Sequence, residues 1–325
     1  MKRGMALGIG LCGVVAAALF AANLRPSASA WPQLTPHSGS PTGLEVRFMG
    51  TSTLSLSDGQ DTLLIDGYFS RPGLWELATK PLQPKQARID QALDRAHLSR
   101  ASALLVAHTH FDHALDAIPV AAQLKARLMG GQALSQITQA HPDRPAVEVF
   151  SEGIPVQVGA FTITPYLTPH APGDVAKGAQ AASFTHPARA GDWPLGEAYS
   201  WLIERGTCRI LIVPSAGQIG PAFSGVQADL VFLGIGQLAH RGPSGLETYW
   251  RETVGATAAS VVVPIHWDDF TRPLDQPLRP LPYVIDRFDK TMEGLTALAQ
   301  RDQVTLGLAP VFSAIDLRPY SPACA

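Results

Sequence analysis

His108-Thr109-His110-Phe111-Asp112-His113 sets four side chains able to ligate a metal into six residues, in the order H-x-H-x-D-H. The apolar run Ala103-Leu104-Leu105-Val106-Ala107 before it reads as a buried strand, and Ala114 to Arg127 after it reads as a helix. The ligands therefore belong on a strand-to-helix loop, where a rigid scaffold commonly displays functional groups. Imidazoles two residues apart on an extended backbone point the same way, so His108 and His110 can share one metal. Asp112 and His113 lie past a kink and can turn toward a second. Imidazole and carboxylate without thiolate suit zinc, iron or manganese.

The chain has 325 residues and ten histidines, so three histidines and an aspartate in one six-residue window are not an accident of composition. Its first segment is basic (Lys2, Arg3), then apolar from Met5 to Ala22, then small at Ser27-Ala28-Ser29-Ala30. That is the layout of a secretory signal peptide, with cleavage after Ala30 and a mature chain beginning at Trp31. Export to the periplasm or outside the cell is the expected destination. An uncleaved membrane anchor competes, because the run nearly suffices to cross a bilayer; Gly4, Gly8, Gly10 and Gly13 dilute it. Cys12 follows Leu11 rather than a small residue and does not read as a lipid-attachment site. If cleaved, the chain carries no stable membrane span.

Removing residues 1–30 takes three of the 25 basic side chains (Lys2, Arg3, Arg25) and none of the 27 acidic ones, so the processed chain is the more acidic. No basic face for nucleic acid is implied. Cys208 and Cys324 would be left, either paired in an oxidising compartment or inert and buried.

Residues 31–43 read as an N-terminal extension and 44–325 as one large α/β domain, since no linker divides them. Leu44 to Met49 and Thr62 to Asp66 read as strands, with Thr53 to Leu56 extending the pattern and Ser57-Asp58-Gly59 as a turn. Helices are expected at 88–96 and 132–140, and strands at 147–150, 154–158 and 161–167, the last ending in Thr168-Pro169-His170. Residues 171–197 form a long loop rich in Gly, Ala and Pro, a candidate lid. A hairpin follows at 199–204 and 209–213, then a strand at 229–233. A capping box at Ser244-x-x-Glu247 opens a helix to about Val254. A strand at 260–264 ends in Ile265-His266-Trp267-Asp268-Asp269, followed by a helix over 282–301 and a closing strand at 304–306. This order suggests two sheets packed face to face with helices outside. His108, His170 and His266 all follow strand ends, which gathers them at one rim.

These residues resemble the metallo-β-lactamase fold superfamily, in particular its ascorbate-lactonase-like and N-acyl-phosphatidylethanolamine phospholipase D-like branches. The resemblance covers roughly residues 44–315 and rests on Leu63-Leu64-Ile65-Asp66, the His108–His113 motif, His170 and Pro264-Ile265-His266-Trp267, in that order. It implies a four-layer αβ/βα sandwich of two mixed β-sheets with a dinuclear site, usually zinc, at one edge. His108, His110 and His170 would hold one metal, and Asp112, His113 and His266 the other. Asp66 would orient the ligand loop. The sequence departs from the family at the strand aligned with Ile210–Val213, where members carry a metal-bridging Asp. Here the chain reads Val213-Pro214-Ser215-Ala216-Gly217-Gln218. Ser215 has no charge to set between two repelling dications, so one tight metal and one weaker, exchangeable metal are expected, with Asp268 a candidate to compensate.

The expected chemistry is hydrolysis of an acyl, lactone or phosphodiester bond in a small-molecule or lipid-like substrate by a metal-bound hydroxide. Asp112 would act catalytically by orienting the nucleophile, and Asp268 or water would protonate the leaving group. Ser215 lacks the G-x-S-x-G setting of a covalent nucleophile. His240 could reach substrate, or be an exposed loop histidine. Tyr68, Phe69, Phe111, Trp193 and Trp267 are candidate pocket walls, Phe111 and Trp267 most of all because they adjoin ligands. His186 and Lys177 read as solvated; His37, His97 and His141 read as structural or surface residues. Two other functions compete: a non-catalytic metal- or ligand-binding protein, and iron-dependent oxygen chemistry.

Overall fold

The computed structural model describes residues 23–37, 43–171 and 181–324. The leader run Met5–Ala22, Cys12 and Lys177 lie outside the described residues, as does the first part of the long loop.

The chain opens with a meander. β1 (Glu45–Phe48), β2 (Leu54–Ser57) and β3 (Thr62–Ile65) pair antiparallel, with Asp58 Oδ1 accepting the Gln60 and Asp61 amides in the tight turn. Helix α1 (Leu74–Thr79), the short β4 (Pro81–Leu82) and α2 (Gln86–Ala96) follow. Then come β5 (Ala103–Leu105), α3 (Phe111–Ala114), α4 (Ala117–Leu124), β6 (Arg127–Gly130), α5 (Gln132–Gln139) and β7 (Val147–Val149). The second half holds β8 (Val156–Val158), β9 (Phe161–Leu167), β10 (Ala188–Arg189), β11 (Tyr199–Arg205), β12 (Cys208–Val213) and β13 (Leu230–Gly234). It ends with α6 (Gly242–Trp250), β14 (Val261–Ile265), α7 (Phe288–Asp302), β15 (Thr305–Leu306) and β16 (Ala314–Ile315).

One seven-stranded sheet runs β16-β1-β2-β3-β5-β6-β7 and the other β15-β14-β13-β12-β11-β9-β8. Both are mixed. Alternation along the strands explains the layering. Leu63, Ile65, Ala103 and Leu105 pack in the core shared with Trp201, Ile203, Ile210 and Leu233 of the facing sheet. Leu64 and Leu104 point the other way, under Ile89 and Leu93 of α2 and Val120 and Leu124 of α4. Helix α2 buries Ile89, Ala92, Leu93 and Ala96, a single stripe at helical spacing. Each such Leu or Ile contributes about 1.5–3 kcal/mol by leaving water. The architecture is the αβ/βα sandwich that the sequence implies.

Local departures have local causes. The helix expected from Ala114 to Arg127 is broken into α3 and α4 at Leu115 and Asp116. The Asp116 carboxylate is drawn away to accept Phe69 N, Ser70 N and Ser70 Oγ, and Pro119 suits the first turn of α4, where an amide is dispensable. Ser244 caps nothing, because α6 already begins at Gly242 with Pro243 in its first turn. Helix α7 starts only at Phe288, since Ile285 and Asp286 turn back onto the Pro282 carbonyl and Asp286 accepts Gln237 N. Helix α1 and the β4–β10 pair were not anticipated. Cys208 and Cys324 form a disulfide with Cα atoms 4.6 Å apart, tying the C-terminal turn to β12. Residues 31–37 are woven into the domain rather than standing apart from it. Leu34 is in the core, Leu34 N bonds Leu308 O, and His37 N bonds Ala314 O. Among the described residues no helix is long and apolar enough to cross a membrane.

Candidate metal centre

Strand direction assembles the site. β3 and β5 are parallel, β12, β13 and β14 are parallel, and β9 points with β12 because β11 runs against both. Asp66, the His108 loop, His170, Ser215, Gly236 and His266 each follow the C-terminal end of one of these strands. Hydrogen bonds tie the strand ends together there, within the second sheet and across to the first. Tyr199 N donates to Ala107 O, Thr168 N to Ala198 O, and Thr109 N and Oγ1 to the carbonyls of Leu195 and Pro194.

His108, His110 and His170 bring one ligand atom each within 4.8 Å of one another, and Asp112, His113 and His266 do the same. The two triads adjoin, with the His108 and His113 ring centroids 3.8 Å apart. His113 Nδ1 lies 2.8 Å from Asp66 Oδ2. Asp66 also accepts Ala107 N at 2.7 Å and Ser52 Oγ at 2.5 Å, so one carboxylate fixes both the ring and the start of the ligand loop. That orientation leaves His113 Nε2 facing Asp112 Oδ2 at 3.7 Å, and His266 Nε2 is 3.3 Å from the same oxygen. His170 Nδ1 is 3.1 Å from Ala171 O, and its ring centroid lies 4.6 Å from that of His108 and 4.8 Å from that of His110.

Charge and burial fit a cation. His108 is buried and neither ring nitrogen has a hydrogen-bond partner, a costly state unless something takes a lone pair. Burial first, then the neighbouring imidazoles, hold its pKa far below the ordinary histidine value, so the ring is neutral and able to ligate. Burial would raise the Asp112 carboxyl, but His113, His266 and His110 outweigh it and hold the group well below the usual range. Six convergent donors, one of them anionic, match the hard-to-borderline cations that imidazole and carboxylate serve.

His266 is positioned from far away in sequence. It has φ +56°, and its amide donates to Thr51 O at 2.6 Å. Gly236 passes so close that a Cβ there would lie 2.8 Å from His266 O. Asp268 does not compensate for a missing bridge. Its Oδ1 accepts Thr51 N and its Oδ2 pairs with the buried Arg71, so it supports the loop that holds His266. Ser215 Oγ accepts Ala171 N at 3.0 Å, beside His170, and belongs to neither triad. His240 lies on the His266 side. Both imidazoles act on the buried Asp286, whose carboxyl is raised by burial and lowered in turn by the Gln237 and Arg287 amides and these rings.

The aromatic expectations divide. Phe111 sits between Tyr68 (6.3 Å) and Phe270 (6.2 Å), and Phe270 also faces the His266 ring at 6.1 Å. Phe270 was missed, because a lone aromatic four residues past a ligand carries no pattern. Trp267 is core, packed on Phe48 and Phe288, since it points to the opposite face from His266. Phe69 and Trp193 are buried under the outer helices. His186 is not solvated: it is half-buried against His141 and Trp193. His97 closes α2 in the left-handed conformation, and His37 Nδ1 is 3.9 Å from Asp316.

No sequence-family model matches the chain, and no curated protein matches its sequence. Solved structures do share its fold. CmlA, a diiron β-hydroxylase from Streptomyces venezuelae, is 16% identical with a TM-score of 0.53, over 86% of this chain and 55% of that one. Unliganded yeast PDE1 is 10% identical with a TM-score of 0.52, over 84% of this chain and 99% of that one. A possible metal-dependent hydrolase from Veillonella parvula is 12% identical with a TM-score of 0.50, over 84% and 99%. The chain shares its fold with these structures, a sandwich of two mixed sheets with the histidines and aspartate of the His108–His113 motif at their shared edge, as its resemblance to the metallo-β-lactamase fold superfamily implies.

Proposed function

We propose that the protein is an exported metal-dependent hydrolase, acting on an acyl, lactone or phosphodiester bond. The observation that carries this reading is the pair of adjoining ligand triads, with both nitrogens of His108 buried and unpartnered. A bound zinc supplies Lewis acidity and a water that ionises near pH 7. The protein's own residues do the rest. Asp112, kept anionic, would accept a hydrogen bond from the attacking water and orient it. Tyr68, Phe111 and Phe270 wall the Asp112–His266 side and limit solvent there. The described end of the long loop, whose Pro194 and Leu195 carbonyls hold Thr109 beside the ligands, would cover an acyl or lipid-like group.

The six ligands carry a single negative charge, and among the described residues no second carboxylate belongs to either triad. Two dications so close repel strongly, so the three-histidine triad holds its metal tightly and the Asp112–His113–His266 triad exchanges. Two equivalents surviving prolonged chelation would exclude this inequality. Iron with oxygen chemistry is a second reading, favoured by a donor set without thiolate and by the diiron neighbour.

The deciding experiment combines elemental analysis of protein purified without added metal with a panel of esters, lactones and phosphodiesters. Turnover lost in His110→Ala supports a hydrolase. Iron content with dioxygen uptake supports the second reading, and metal binding without any turnover supports a non-catalytic binding protein.

A further inference from the structure

The segment just before the expected cleavage point is built into the fold. Arg25 Nη1 donates to Asp269 Oδ2 at 2.7 Å and to Pro280 O at 3.1 Å, with both side chains largely buried. Pro26 is buried, and Leu24 O accepts the Tyr283 amide at 2.9 Å. Ala28 and Trp31 pack against the core, with Trp31 edge-on to Phe288. Cleavage after Ala30 would strip Arg25 from Asp269, leaving a buried carboxylate without its cation.

Where this segment meets the body, the surface is apolar and basic. Leu24 is 47% exposed, Tyr283 39% and Val284 69%, three large apolar side chains brought together by the Leu24–Tyr283 bond. Arg279 lies near Arg25 and Arg272; its guanidinium pKa is lowered by burial and then by those two charges, with Asp269 pulling the other way. The Arg287 guanidinium covers the Tyr283 ring at 5.3 Å. Asp269 neutralises Arg25 and Asp289 neutralises Arg287, so Arg272 and Arg279 give the patch its positive balance. Apolar side chains ringed by arginine are what a bilayer surface with anionic headgroups accommodates.

The sequence says where the bilayer would be. The apolar run Met5–Ala22 ends two residues before Leu24, a reach of about 7 Å of extended chain. As a helix its eighteen residues would be about 27 Å long, close to the roughly 30 Å of a hydrocarbon core.

We propose that Asn23–Ala30 stays in the working protein, that Met5–Ala22 is retained as a membrane anchor, and that the Leu24–Tyr283–Val284 patch with Arg272 and Arg279 rests on the anionic bilayer surface. This placement does not depend on the reaction catalysed.

The test uses the full chain expressed in a bacterial host. Peptide mapping across the Ala30–Trp31 bond is combined with fractionation of membranes washed in alkaline carbonate. Retention predicts uncut peptides spanning that bond and a chain that stays with the washed membrane. A chain beginning at Trp31 overturns it, and so does an uncut chain released by the wash. The docking face is read separately, by amide deuterium uptake of residues 279–285 in nanodiscs containing phosphatidylglycerol. Docking predicts uptake several-fold slower than in the Arg279→Glu protein in the same discs; equal uptake overturns the docking face.

Discussion

Arg71→Met tests whether a buried ion pair outside the ligand set holds half of the metal centre. Arg71 and Asp268 are both fully buried and 2.7 Å apart. Arg71 also donates to Thr51 Oγ1, Asp268 accepts Thr51 N, and Thr51 O accepts His266 N. Methionine keeps much of the arginine stem's volume but removes the charge, leaving Asp268 buried with one backbone donor. Breaking a buried pair from one side costs about 3–5 kcal/mol, against a total stability of about 5–15 kcal/mol for a typical domain. The assay is urea denaturation of metal-free protein, with the slope unchanged so that the midpoint reports stability. Arg71→Met combined with Asp268→Asn removes the stranded charge and should recover most of the loss, giving a large coupling energy. A single-variant cost under about 1 kcal/mol, or a double variant no more stable than the single, would refute the reasoning. Chelator competition supplies a second readout: the variant should lose the more weakly held metal faster than wild type does, with release of the tighter one unchanged.

Asp66→Asn removes the carboxylate shared by His113, Ala107 and Ser52. Metal affinity should fall about 10–100-fold by chelator competition, and unchanged affinity would show that Asp66 does not orient the ring. Cys324→Ser opens a disulfide linking residues 116 apart and should cost about 2–5 kcal/mol. Wild-type protein under reductant should match the variant in urea, whereas a wild type unaffected by reductant would show that the bond adds nothing. Burial pushes the Asp116 carboxyl up to about 6 from 3.8, against the pull of Ser70 and Phe69. A raised carboxyl pKa favours the fold fully below about pH 4, and that contribution is lost as the pH rises through about 6. Stability measured at pH 4 and pH 7 should therefore differ less in Asp116→Asn than in wild type; an identical difference would place the Asp116 pKa elsewhere.

The parts of the fold legible in sequence are those that local pattern specifies. The H-x-H-x-D-H loop declares itself because ligand-type side chains are scarce elsewhere, and the strand before it is a continuous apolar run, as burial between two layers requires. His170 and His266 become readable through their position at strand ends. What escaped depends on partners distant in sequence. Asp116 breaks the expected 114–127 helix because Phe69 and Ser70 need its oxygens. Asp268 looks like a spare ligand beside His266 until Arg71, 197 residues away, is found paired with it. Trp267 adjoins a ligand in sequence yet packs on Phe48 and Phe288 in the core, past the left-handed bend at His266 that no local pattern announces. Phe270 reaches the site through tertiary packing alone.

The two triads differ in what positions them, and that difference reaches back to the N-terminal segment. The three-histidine triad is held by bonds between neighbouring strand ends, through Tyr199, Ala198, Leu195 and Pro194. His266 instead rests on Thr51, the close approach of Gly236, and a loop whose next residues are pinned by Arg71 at Asp268 and by Arg25 at Asp269. Removing residues 1–30 deletes one of those two pins and leaves the strand-end bonds intact. A chain starting at Trp31 should therefore lose its second metal equivalent to chelator faster than the full chain, while the first is released at an unchanged rate. Equal release of both equivalents from the two proteins would show that the Arg25 clip has no bearing on the site and that His266 is fixed by Thr51 and Gly236 alone.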